Sequence, residues 1–449
     1  MKNMEKETVF SDKQLKEMIV PLLIEQFLLM LVGMADTFIV SYAGEAAVSG
    51  VSLVNAFNTV FLFLFTALAS GGAVIVSQYI GKKDNEKASD AVSQLLMISV
   101  IFSVVITILI LIFNEKIIRF LFGKVEKEVM ESCITYLRIS AYSYPALAVY
   151  NAGAALYRSI GRTNVTMNIS VISNIINIAG NLIGVFYFKA GTAGVAYPSL
   201  IARVFSAGVI TYFCFQNKNQ VRYYYRKIFQ WNKALLNKIL KIAVPNGIES
   251  GIFQLLKVAL SSIAALFGTY QIAANGIAQS IWSVAALITS AMGPVFITVI
   301  GQSMGAGKIS EAEMYFKKLI KITVIISVIW NILIFAATPF LMQWYAVSDE
   351  IKKLVILLVL IHNTVNALAF PFADSFGKGL RAAGDVNFTV GISLITTIGV
   401  RLIFSYLFGI IMKMGVIGIA CAMCVDWITR GIIFWIRFKK GNWKKYSII

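Results

Sequence analysis

QYIGKKDNEKA (Gln78 to Ala88) returns in the second half of the chain as QSMGAGKISEA (Gln302 to Ala312), with Gln, Gly and Ala in register. Other stretches return in the same order and at the same offset, to within one position. Val20-Pro21, with Glu25 four positions after the proline, becomes Val244-Pro245 with Glu249. RSIGRTN (Arg158 to Asn164) becomes RAAGDVN (Arg381 to Asn387), and GTAGVA (Gly191 to Ala196) becomes GVIGIA (Gly415 to Ala420). One match is noise; four in order make the chain two related halves. Internal repeats in a hydrophobic chain point to a transporter.

Composition says what surrounds those halves. Hydrophobic residues make up 58% and charged residues 14%, against about 25% charged in a soluble domain. A helix needs about 20 apolar residues to cross the hydrocarbon core, and backbone polar groups in lipid must be satisfied internally. The sequence reads as twelve membrane helices: 18–41, 48–80, 88–113, 132–157, 164–188, 192–216, 241–267, 270–304, 315–340, 351–380, 387–411 and 415–438. The expected fold is all-α, with two six-helix bundles related by the repeat. Residues 1–230 hold the first bundle and a cytoplasmic linker, and 231–449 the second. Residues 1–17 lack an apolar signal-peptide core, so the first helix is expected to be retained.

The formal net charge is +18. Lys and Arg gather in the segments on the side of the N-terminus, which places both termini in the cytoplasm of a cell-membrane protein. The basic linker, with Arg222, Arg226, Lys227 and Lys233, reads as a lipid-headgroup contact rather than a nucleic-acid site. Cys421 and Cys424 have CxxC spacing inside an apolar helix, and the chain has one histidine, His362. No metal site, cofactor or disulfide is expected. An intramembrane enzyme needs a nucleophile–base or multi-histidine set, which is not found. No GxxxxGK[ST] stretch is present, so ATP is not the driver.

Ionisable residues inside the membrane cost about 2.5 kcal/mol or more on insertion scales and need a reason. Glu25 and Asp36 fall about 20° from one face of the first helix but about 16 Å apart along it. Each serves as a coupling carboxylate or pairs with an internal arginine. Asn174, Asn177 and Asn181 form one amide stripe, either as interhelical glue or as oxygen ligands that complete a cation site with a carboxylate. Glu249, Gln254 and Lys257 lie on the seventh helix, as substrate contacts or a structural ion pair. Asp374 lies in FPFADSFGKGLRAAGD, where Pro371, Gly377 and Gly379 make the tenth helix breakable. Arg158, Arg162, Arg381 and Asp385 are expected as snorkelling anchors at the inner interface.

MADTFIVSYAGEAAVSGVS, the Gln78–Gly81 turn, LYRSIGRTN, GLRAAGDVN and GVIGIA resemble the multidrug and toxic compound extrusion (MATE) transporters over roughly residues 15–438. The resemblance implies export of organic, often cationic and lipophilic compounds by a monomer, driven by inward flow of sodium or protons. It implies a coupling role for Asp36 and for Asn177, with sodium at these two as one reading. Asn181 stands where one branch has an aspartate. Glu249 and Asp374 resemble acids of the NorM branch, each displaced by about one turn. The rival transporter is a lipid-linked precursor flippase of a related fold, which would need several basic residues facing its cavity.

Overall fold

The computed structural model describes residues 8–123, 125–345, 347–446 and 448–449. Two compact units emerge: Asp12–Gly247, and Ile248–Ile449 together with residues 8–11. The division falls inside one long helix, Lys233–Ala265.

In the first unit the helices are α1 (Asp12–Ser41), α2 (Glu45–Gly81), α3 (Asn85–Phe122), α4 (Lys127–Tyr142), α5 (Tyr144–Ser159), α6 (Thr163–Leu182), α7 (Ala193–Phe215), the short linker helix α8 (Tyr225–Ile228) and the start of α9 (Lys233–Ala265). The second unit continues with α10 (Thr269–Ala285), α11 (Leu287–Gly305), α12 (Ile309–Gln343), α13 (Asp349–Leu368), α14 (Phe370–Ala373), α15 (Ser375–Ala382), α16 (Val386–Ile395), α17 (Ile403–Tyr406) and α18 (Val416–Lys439). Among the described residues, eleven helices are long and apolar enough to cross a membrane. The twelfth span is α4 followed by α5, two 16-residue helices that meet at Ser143.

Breaks in the spans follow from local sequence. Tyr144-Pro145 opens α5 and Phe370-Pro371 opens α14, with each proline in the first turn, where its missing N–H costs least. Both interrupt the fourth span of their half. Asp374, at φ −108° and ψ −74°, separates α14 from α15.

The repeat is written into the backbone. Positive φ occurs at Gly44 and Gly268, Lys83 and Gly307, Gly161 and Gly384, Lys189 and Lys413, and Gly191 and Gly415. Each pair is separated as Gln78 and Gln302 are, to within one position. The π-helical turns Ile183–Tyr187 and Leu407–Ile411 stand at that separation as well. A third, Thr396–Leu402, has no π counterpart in α6.

Each unit has its own apolar core. Val54, Ile118, Leu137, Tyr144 and Val195 fill the first. Leu256, Ala278, Leu358, Val416 and Ile419 fill the second. Helices close up where glycine allows it: a Cβ on Gly184 would strike the Gly194 carbonyl, and one on Gly418 the Gly409 backbone.

Candidate functional site

In the first unit α1, α6 and α7 bring a chain of polar groups together. Asn181 is fully buried. Its Nδ2 donates to Asp36 Oδ1 at 2.7 Å and to Asn177 Oδ1 at 2.7 Å. Asn177 Nδ2 donates to Ser199 Oγ at 3.1 Å. The amide stripe is therefore joined to the carboxylate on α1. Asn181 Oδ1 is buried and has no hydrogen-bond partner. A buried acceptor left unsatisfied costs about 1–3 kcal/mol, so this oxygen beside a carboxylate suits a cation or a proton-bearing group. The nearby Arg203 donates to Ser143 Oγ at 2.6 Å and acts on Asp36 through space. Tyr136 and Tyr144 close the same region, hydrogen-bonded to Asn55 and Asn58.

The sequence alone does not group Ser199, Arg203, Tyr136 and Tyr144 with Asp36. They reach the site from other helices, and helical spacing relates only residues on one helix.

Glu25 lies elsewhere, although periodicity put it on the Asp36 stripe. It is 2% exposed and pairs with Arg158 at 2.9 Å. Thr166 Oγ1 donates to its other oxygen at 3.2 Å, and the Tyr150 hydroxyl lies at 3.4 Å. The repeat builds the same cluster again. Arg381 clamps Glu249 through two nitrogens at 2.7 and 2.9 Å, and also donates to Thr389 and Ser393. Arg158 and Arg381 thus turn inward to carboxylates rather than outward to headgroups. Asp385 is 2% exposed and held by Arg437.

Asp374 pairs with Lys378 one turn on, at 2.7 Å. Gln254 keeps a buried Nε2 without a partner. Lys257 stands on the exposed surface of its unit, with its ammonium 5.2 Å from the Phe253 ring centroid. Among the described residues no three His, Cys, Asp or Glu side chains cluster as metal ligands.

Known proteins agree with this architecture. The MatE family model matches twice, over residues 21–183 and 245–407. The starts of the two matches are spaced as the repeat is. An uncharacterized transporter YisQ of Bacillus subtilis is 27% identical, over 94% of this chain and 93% of its own. A probable multidrug resistance protein NorM of Thermotoga maritima is 24% identical, over 97% and 94%. The solved outward-facing structure of a multidrug resistance MATE family transporter superposes with a TM-score of 0.89 at 22% identity, covering 97% of both chains. The chain belongs to the MatE family: it is a multi-pass membrane transporter and not an enzyme.

Proposed function

We propose that this transporter is a secondary active antiporter that exports organic, lipophilic compounds in exchange for sodium ions or protons. Asp36, Asn177 and Asn181 form the coupling site, with Ser199 as a further oxygen. The observation that carries the reading is the partnerless Asn181 carbonyl, buried beside the Asp36 carboxylate. Amide, hydroxyl and carboxylate oxygens are hard donors suited to a small cation, and the carboxylate alone can carry a proton. The names of the relatives, a multidrug resistance protein and a multidrug export protein among them, support export as the direction. The spread of Lys and Arg supports cytoplasmic termini in the cell membrane. Glu249 and Asp374 each already face a cation of their own chain, so they are assigned no counter-charge for a cationic substrate.

The test is uptake into inverted vesicles, with sodium and proton gradients imposed separately. Asp36→Asn should abolish gradient-driven uptake while expression and melting temperature stay unchanged. Wild-type rates in that variant would overturn the proposal.

A further inference from the structure

The repeat offset carries the coupling site into the second half with its charge reversed. Asn177 falls on Arg401, Ser199 on Met423, Asn181 on Ser405 and Asp36 on Leu260. The contacts transfer as well. Asn177 donates to Ser199, and Arg401 Nη2 reaches Met423 Sδ at 2.8 Å. Further along α7, Ser206 donates to the Ala202 carbonyl, while Arg430 and Asp426 occupy the matching positions and pair. The carboxylate of the first site is replaced by leucine, and an amide by a guanidinium.

Arg401 is 3% exposed, and its Nε and Nη1 have no hydrogen-bond partner. A guanidinium has five N–H donors and does not deprotonate in proteins. A thioether sulfur is a weak acceptor and supplies no charge. The carboxylate that acts on Arg401 is Asp426. That group is occupied by Arg430, which holds both of its oxygens at 2.7 and 3.0 Å and also donates to Thr396 and Thr397. Two buried guanidiniums therefore share one acid. Phe253 lies against both Arg401 and a third cation: its ring centroid is 5.6 Å from the Arg401 guanidinium carbon and 5.2 Å from the Lys257 ammonium. His362, fully buried near Arg401, has no hydrogen-bond partner on either nitrogen and adds no negative charge.

A charge held in a low-dielectric interior is costly unless it is paired. Two cations on one aromatic ring, with donors to spare, form a site that an anion completes. We propose that Arg401 and Lys257, both beside the Phe253 ring, bind the oxyanion of an amphiphile: a carboxylate, sulfonate or phosphate on a lipophilic body. The planar guanidinium suits two-point contact with such a group. Phe253 offers a face for the apolar part, and the exposed Lys257 marks the side of entry. The inference stands apart from the coupling site of the first half and does not rest on it.

The experiment is isothermal titration of the purified full-length protein with two ligands of the same body and opposite charge, 2-naphthoate and 2-naphthylmethylammonium. Naphthoate should bind and the ammonium should not. Arg401→Met and Lys257→Gln should each weaken naphthoate binding by about tenfold or more, as loss of a charge-assisted contact implies. Arg401→Met removes an unpaired buried charge, so its melting temperature should hold or rise. Lys257→Gln changes an exposed position and keeps the test open if the arginine variant does not fold. Native mass spectrometry from nanodiscs with and without phosphatidylglycerol separates the sources. An anionic lipid retained by the wild type and lost from both variants makes a lipid phosphate the occupant and supports the site, whether or not naphthoate binds. Equal binding of both naphthyl ligands overturns the proposal. So does wild-type naphthoate affinity in both variants, or the absence of both naphthoate binding and variant-sensitive lipid retention. Equilibrium binding needs no gradient, so this result and the vesicle assay can fail independently.

Discussion

Asn181 gives the first half its character, because an amide there holds Asp36 without adding a second titrating group. Asn181→Asp would set two carboxyls within hydrogen-bond reach of each other. Such a pair cannot readily ionise twice and shares a proton over a raised apparent range. Transport by that variant should have a pH dependence steeper than the wild type's, measured as initial rates of both across pH 5 to 9. A profile unchanged from the wild type's would place Asn181 away from the coupling step. Asn177→Ala should raise the ion concentration for half-maximal transport; a change in melting temperature alone would make the stripe interhelical glue. That Asn177 and Asn181 share a face was legible in the sequence because a spacing of four reports one, and Asp36 was legible only as an acid inside an apolar helix. What opposes that face was not. Glu25 shares the face with Asp36, yet an arginine from α5 claims it.

At the scale of elements, glycine pairs fix how closely helices run. Adding a methyl at Gly418 or Gly184 meets backbone, which cannot rotate out of the way. Gly418→Ala and Gly184→Ala should each cost about 1–3 kcal/mol, as overpacked sites do, read as a lower melting temperature in detergent. Gly33→Ala, with open space around its Cβ, should not. Breaks in the fourth spans were partly legible. Pro371 and its neighbouring glycines marked one, and the structure interrupts the helix there at Ala369 and Asp374. The split between α10 and α11 at Ala286 carries no such signal, since its flanking residues are ordinary helix formers.

For the whole molecule, the two Glu–Arg clusters are the clearest sign that the halves are copies, and each ties its own bundle together. Arg158→Met leaves the buried Glu25 carboxylate without its counter-ion and should cost about 3–5 kcal/mol, and Arg381→Met should cost less because Glu249 is partly exposed. The double variant Glu25→Gln with Arg158→Met should regain part of that loss, as measured by melting of both against the wild type. If the single and double variants melt alike, the pair is not the stabilising unit. The twelve spans and their division into two sets of six were legible because hydropathy and repeat both act over long windows. The sign of each inner site was not, because it depends on single residues such as Asn177 and Arg401 that no composition reports.

A π turn is what a one-residue insertion leaves in an α-helix. The turns at Ile183–Tyr187 and Leu407–Ile411 hold matching places, so that insertion was inherited by both halves from a common parent. Thr396–Leu402 has no π counterpart in the first half, and it lies in the stretch where the register between the halves slips by one position, so the extra residue is one that the halves do not share. Arg401 is the next-to-last residue of that turn. The unpaired positive charge thus sits in a widened turn that the other half does not have, in the copy with leucine at the place of the carboxylate.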